Sequence, residues 1–309
     1  MDITLFLRAA IQAGTPLLFA TLGEVLTEKA GNLNLGVEGL MLLGAVGGFA
    51  AGLITQSATV AIIVALLAGA FGGLIYAFLT VTLQTNQVVT GLALTIFGTG
   101  ISGYAGRFVM GDIIPNTIRS TFKAKAIPIL SDIPFIGEIL FNQNIFVYGG
   151  LILAIIMTLY LAKTKQGLNL RSVGENPSAA DASGIPVSTY KYIHIIIGSA
   201  ISALGGAYLS LVHVPAWQEN ITAGRGWIAV ALVIFSMWSP AKAIFGAYLF
   251  GGLDIIGFRL QQTNIAISQY LIGMLPYLIT ILLLVISSMI KRRQQAPNSL
   301  GVSYFREDR

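Results

Sequence analysis

Cysteine is missing from all 309 residues, so disulfides and thiolate metal sites are excluded and the redox compartment cannot be read. Charge is scarce as well: Asp, Glu, Lys and Arg make up 10% of the chain, against roughly 25% in an ordinary soluble domain. Histidine occurs only at His194 and His213, and no His/carboxylate cluster suggests a metal. No Gly-Lys dipeptide is present, so the chain has no Gly-x-x-x-x-Gly-Lys-[Ser/Thr] phosphate loop and cannot hydrolyse ATP by that route. The net charge of +5 and the pI near 9.4 do not point to nucleic acid. In so apolar a chain they report Lys and Arg at the cytoplasmic edge of a bilayer.

What is abundant is apolar surface. Hydrophobic residues are 55% of the sequence and the mean hydropathy is +0.79. A soluble domain of this length cannot bury that much, which leaves an all-α polytopic membrane protein. Long continuous runs exclude an outer-membrane barrel, whose segments alternate over roughly ten residues. The 35 glycines suit closely packed membrane helices. Small residues four apart mark predicted seams at Gly48/Gly52, Gly69/Gly73 and Gly198/Ser202/Gly206. The start, Met1-Asp2-Ile3-Thr4, has no basic region, so the first apolar segment is expected to stay in the mature protein.

Nine apolar segments are predicted: 3–22, 33–54, 58–82, 87–106, 145–162, 192–212, 226–238, 241–260 and 267–290. A broken second segment would make the count eight or ten. Lys291-Arg292-Arg293 abuts the last segment, and loop 163–191 holds Lys163, Lys165, Arg171 and Lys191. Both are therefore expected on the cytoplasmic side. Parity then requires the short 226–238 segment to cross, and puts loop 107–143 and the N-terminus outside. Residues 1–293 read as one transmembrane domain, and 294–309 as a polar, mobile tail.

Polarity breaks the pattern in three places. The first runs from Gly23-Glu24 through Glu28-Lys29 to Asn32-Leu33-Asn34-Leu35-Gly36-Val37-Glu38-Gly39. Glu24, Glu28 and Lys29 read equally as a solvated turn or a buried network. Asn32, Asn34 and Glu38 are expected to form a buried polar network, with a half-helix starting near Asn34. The second is Gln84-Thr85-Asn86-Gln87-Val88-Val89-Thr90, which reads either as an ordinary helix start or as solute-binding amides and hydroxyls. The third, in loop 163–191, spells out a short helix. Asn176 caps it, Pro177 takes its first position, Ala179, Ala180 and Ala182 favour it, and Gly184 ends it. Two turns need docking to persist.

Three motifs resemble those of the membrane permeases of ATP-binding cassette (ABC) importers in the ribose and branched-chain amino acid superfamily, nearest the nucleoside branch. They are Asn32-Leu33-Asn34-Leu35-Gly36-Val37-Glu38-Gly39, Arg171-Ser172-Val173-Gly174-Glu175-Asn176-Pro177-Ser178-Ala179-Ala180 with Gly184-Ile185, and Gly224-Arg225-Gly226-Trp227-Ile228-Ala229. In the last, Trp227 stands where the family usually has Phe. The resemblance covers roughly residues 10–290. It implies a permease subunit in the cell membrane that moves a small polar solute, most closely a nucleoside. Implied partners are a second permease in a heterodimer, a cytoplasmic ATPase that uses ATP and Mg, and an external substrate-binding lipoprotein. This chain itself would need no cofactor and would not be an enzyme. Candidate path residues are Asn32, Asn34, Glu38, Asn86, Gln87, Thr90 and Trp227. Candidate coupling residues are Arg171, Gly174, Glu175, Asn176, Pro177, Ala179, Ala180, Asp181 and Gly184. Rival readings are a simple-sugar permease and an ion-coupled secondary transporter.

Overall fold

The computed structural model describes residues 3–262, 274, 277–282, 285 and 296–306. Seven helices among them are long and apolar enough to cross a membrane. They are α1 (Ile3–Lys29), α2 (Val37–Thr55), α3 (Ala58–Ala77, extended by a π-turn to Thr82), α4 (Gln87–Gly106), α7 (Ile145–Lys163), α10 (Val187–Tyr208, with a π-turn to His213) and α12 (Pro240–Gln262). A shorter apolar helix, α11, spans Arg225–Phe235. Eight of the nine predicted segments thus have a helix, and the ninth, 267–290, falls largely outside the described residues.

Two connections turn out to be structured. Loop 107–143 carries α5 (Asn116–Phe122), β1 (Lys125–Ala126), α6 (Ile136–Leu140) and β2 (Asn142–Gln143). The two strands pair antiparallel, and Ile118 and Phe122 plug the core. The stretch between α7 and α10 holds α8 (Lys165–Glu175) and α9 (Pro177–Ala182). α8 is a helix that the sequence does not announce. The Thr164 hydroxyl accepts from Gly167 N at 2.9 Å to cap it.

α10 is the centre of the bundle, in contact with α1, α2 and α3. The predicted Gly198/Ser202/Gly206 ladder is real: the Cα of Gly206 lies against the Met41 carbonyl of α2, and Gly198 against the Gly23 carbonyl of α1. A side chain at either would collide with backbone, which cannot move aside. Ser202 Oγ (to Ala20 O, 3.3 Å) and Ser210 Oγ (to Ala45 O, 2.8 Å) add hydrogen bonds across the same seams.

The chain reverses at two ends of the bundle. The end carrying α8 and α9 also receives the C-terminus of α1 and residues 296–306. The opposite end carries loop 107–143, where Ile113 bridges Ala216. Loop 163–191 and the C-terminal residues therefore share one end, as parity of the basic stretches requires, and 107–143 lies at the other.

Two helices begin inside the bundle. α1 continues seven residues beyond the predicted limit at Leu22, carrying Glu24 and Glu28 into the interior at 1% exposure each. The chain then doubles back. Leu35 lies against Gly91, its carbonyl accepts from Thr95 Oγ1 at 3.0 Å, and α2 starts at Val37. Thr95 is eight residues into α4, about 12 Å along its axis. The break therefore lies ahead of the second segment, and α2 itself is continuous to Thr55. From the opposite end, residues 214–224 descend to meet it, and α11 starts there at Arg225. This accounts for the short seventh segment, because the stretch ahead of it is non-helical, with turns from 219 to 224.

Candidate solute path and coupling face

The two interior helix starts meet at Glu38. Its carboxylate accepts from the Thr222 hydroxyl (2.5 Å), Gly224 N (2.8 Å) and Gly226 N (2.6 Å). Gly224 and Gly226 offer the unsatisfied N–H groups at the start of α11, where an anion is also favoured by the helix dipole. Ala223 (φ +46°) and Gly224 (φ +81°) adopt left-handed backbone to aim them. Gly226 must lack a side chain, because a Cβ there would run into the backbone of Glu38. Arg225 points away, paired with Asp254 of α12 at 3.3 Å. Glu38 is paired by backbone N–H groups, as expected for a buried carboxylate, but they belong to the third motif, 186 and 188 positions away.

The loop ahead of α2 is held from three sides. Glu24 Oε1 accepts from Asn34 N (2.9 Å), Gln87 Oε1 from Leu33 N (2.7 Å), and the Leu33 carbonyl from the Tyr76 hydroxyl (2.6 Å). Asn34 Oδ1 closes a tight turn by accepting from Gly36 N at 2.9 Å. Glu28 accepts from the indole N–H of Trp238. The solvated-turn reading of Glu24 and Glu28 is thereby overturned. A helix continues through them because each carboxylate finds an N–H. Asn32 is fully buried, and neither of its amide atoms has a partner among the described residues; Asn34 Nδ2 is equally unpaired.

The remaining path candidates sit elsewhere. Asn86 is exposed and caps α4, accepting from Val89 N at 3.0 Å, so the ordinary helix-start reading holds for it. The Thr90 hydroxyl bonds locally to Asn86 O (2.8 Å) and Thr85 Oγ1 (2.9 Å). Trp227 is 38% exposed and outside the network. The structure thus brings Asn32, Asn34 and Gln87 together, sets Glu38 beside them as an anchor, and separates Asn86, Thr90 and Trp227.

Sequence reasoning missed a cavity of about 430 Å³ at the end opposite α9. Thr99, Ser102, Tyr104, Arg107, Trp217, Glu219 and Asn220 line it. Trp217 is 4% exposed, and its indole N–H, packed over Gly106, has no acceptor among the described residues. Ser102 beside Gly106 in α4, with Trp217-x-Glu219-Asn220, is the only trace in the sequence: a lone polar cluster at a predicted helix end.

On the coupling face, the predicted cap geometry is present. Asn176 Oδ1 accepts from Ala179 N at 2.9 Å, Pro177 opens α9, and Gly184 takes φ +80°. The helix ends at Ala182, one residue short of the predicted Ser183. Arg171, Gly174 and Glu175 lie on α8 instead, with Gly174 against the Lys29 carbonyl and Arg171 exposed. Ala180 faces inward at 3% exposure, so Ser178, Ala179 and Ala182 form the outward face. Asp181 is bound by residues of the C-terminal tail. The expectation of a mobile tail fails for 296–306, because its polar groups find carbonyls and carboxylates at this end of the bundle.

Interior helix starts and a capped helix displayed beyond the bundle define a multi-pass membrane transport protein. Residues 6–284 match the family described as the permease component of the branched-chain amino acid transport system, and the chain belongs to it. It is an ABC transporter permease subunit. A Haloferax volcanii permease protein with a glucose-transporter name, TsgC13, is 39% identical over 84% of this chain and 79% of its own length. The guanosine ABC transporter permease protein NupQ of Bacillus subtilis is 33% identical, with both chains covered in full. The same two organisms hold second, more distant relatives, TsgB13 (27% identical) and NupP (24%). A solved structure, described as an inward-facing metal-chelate type ABC transporter, shares the fold at TM-score 0.53 and 16% identity, over 92% of this chain and 84% of that one.

Proposed function

We propose that this subunit forms one half of the path for an uncharged polar solute, and that the solute is a nucleoside. The observation that carries this is the cavity between Tyr104 and Trp217. Two aromatic rings, the hydroxyls of Thr99 and Ser102 and the amide of Asn220 offer stacking faces and neutral hydrogen bonds together, beside the opposite charges of Arg107 and Glu219. Asn32, Asn34 and Gln87 would continue the path towards the α9 end. Glu38 has its acceptors filled and serves as the anchor between the two interior helix starts. A simple sugar is the second reading, favoured by the 39% identity to the glucose-named relative.

The α9 end is cytoplasmic in this proposal and the protein lies in the cell membrane. α9 docks on an ABC ATPase, which supplies the energy from ATP and Mg; a substrate-binding lipoprotein delivers solute at the opposite end. The presence of two guanosine-named permease proteins in Bacillus subtilis, NupQ and NupP, supports a heterodimer. The outward face of α4, with Val89, Leu92, Ile96 and Tyr104 exposed, is the surface assigned to the second permease. Closure of the ATPase pair moves α9 and switches which end of the path is open.

Uptake by the reconstituted complex tests the cargo. Guanosine and uridine should compete for transport, and glucose and ribose should not. Competition by the sugars alone would overturn the nucleoside assignment. Ala179→Trp tests docking: ATPase association should be lost, and an intact, transporting complex would exclude α9 as the docking element.

A further inference from the structure

Residues 296–306 mix apolar and polar side chains and pack along the α9 end like a splint, with Ala296 and Leu300 against the core. Pro297 and Ser299 are buried. On one side the segment holds α8 and α9. Ser299 donates to the Gly174 carbonyl from both N (3.0 Å) and Oγ (2.5 Å). Asn298 Nδ2 reaches Glu175 Oε2 at 2.9 Å. The Tyr304 hydroxyl donates to Asp181 Oδ2 at 2.9 Å, with Arg306 Nε 3.3 Å from the same oxygen. The Tyr304 ring packs on the small cluster of Val173, Ala180 and Val187 under α9.

On its other side the same segment holds the loops that frame the interior. Gly301 N donates to Gly31 O (3.3 Å), Gln87 Nε2 to Val302 O (3.4 Å) and Gln84 Nε2 to Tyr304 O (3.0 Å). Gln87 is the link that matters most, since its amide oxygen holds Leu33 N ahead of α2. A polar chain therefore runs from Asp181 on α9 through Tyr304, Val302 and Gln87 to the loop whose next helix carries Glu38.

We propose that residues 296–306 are a coupling strap: Tyr304 and Arg306 position α9 through Asp181, and the backbone from Gly301 to Tyr304 passes its displacement to Gln87 and the loop 30–36. α9 alone is six residues with one inward side chain, Ala180, so it cannot by itself transmit a pull to a loop it does not touch. This rests on the permease reading above and adds a positioning role for the C-terminal segment.

Two measurements on the purified complex test it. The chain has no cysteine, so an introduced one reports cleanly. Ser299→Cys should be protected from a maleimide while Ser120→Cys, exposed on α5 at the end away from the ATPase, reacts at once. Equal labelling means the strap is not docked, and the proposal falls whatever the cargo. The second measurement is ATP hydrolysed per solute transported. Tyr304→Phe combined with Arg306→Ala removes the grip on Asp181 and keeps the ring packing. It should raise that ratio by roughly tenfold with assembly and maximal ATPase rate retained. An unchanged ratio overturns the coupling role, leaving only packing. If the wild-type complex hydrolyses ATP and moves no nucleoside or sugar, the permease reading fails first and takes the coupling role with it. Deletion from Asn298 onward should exceed the double variant in effect, and a milder result also counts against the strap.

Discussion

Glu38 and Asn32 lie six residues apart in one motif, both inside the bundle, and they are opposites in bonding. Glu38 receives three hydrogen bonds from residues 222–226. Asn32 receives none among the described residues, although it is less exposed. A buried polar group with every partner in place is a joint: it fixes α2 against α11 and tolerates no loss. One with none is costly to fold around, which is what makes Asn32 the path candidate of the two. Burial does not separate these residues; the partner count does.

The contrast breaks most readily at Glu38. Glu38→Ala should abolish or sharply reduce membrane abundance, since it strands the Thr222 hydroxyl and the N–H groups of Gly224 and Gly226, at about 1–3 kcal/mol for each buried donor left unsatisfied. Glu38→Gln keeps an acceptor and should recover part of it. Abundant but transport-dead Glu38→Ala would make Glu38 a path residue. Next comes Trp217→Phe, which keeps an aromatic ring and shrinks the stacking face of the cavity. Uptake should fall about two- to tenfold, the worth of about 0.5–1.5 kcal/mol of stacking, with abundance unchanged. Asn32→Leu should do the reverse of Glu38→Ala: abundance stays level, because no bond is lost, and uptake falls. Reduced abundance instead would put Asn32 in the scaffold. The smallest effect belongs to Asn86→Ala. Loss of a helix cap costs about 1 kcal/mol, seen as a slightly lower melting temperature, and transport should be normal.

The helices were legible because apolar runs in a membrane chain have little else to become; seven of the predicted segments end within three residues of the observed helices, and the first stops seven short. α9 was legible from its cap alone, since Asn176, Pro177 and Gly184 act locally. The interior was harder. Hydropathy stops α1 at Leu22, because no local signal shows that Asn34 N and the Trp238 indole wait for Glu24 and Glu28. Glu38 could be read as paired, but its partners are 184 or more positions distant. The tail reads as mobile for the same reason: its bonds reach Gly31, Gln84, Gly174 and Asp181, and composition carries no record of such contacts. Asn86 shows the converse: it caps α4, and caps and ligands draw on the same side chains, so the sequence left both readings open.

The seams on α10 bear on mutational drift. At Gly206 and Gly44 the space for a side chain is already filled by the backbone of Met41 and Ala203, and every missense change of a glycine codon puts an atom there. The lipid-side positions of α7, such as Ile152, Ile155 and Ile156, meet no such wall. The outer surface of α7 is therefore sterically open to substitution, while the contact lines of α10 are closed to any residue larger than glycine.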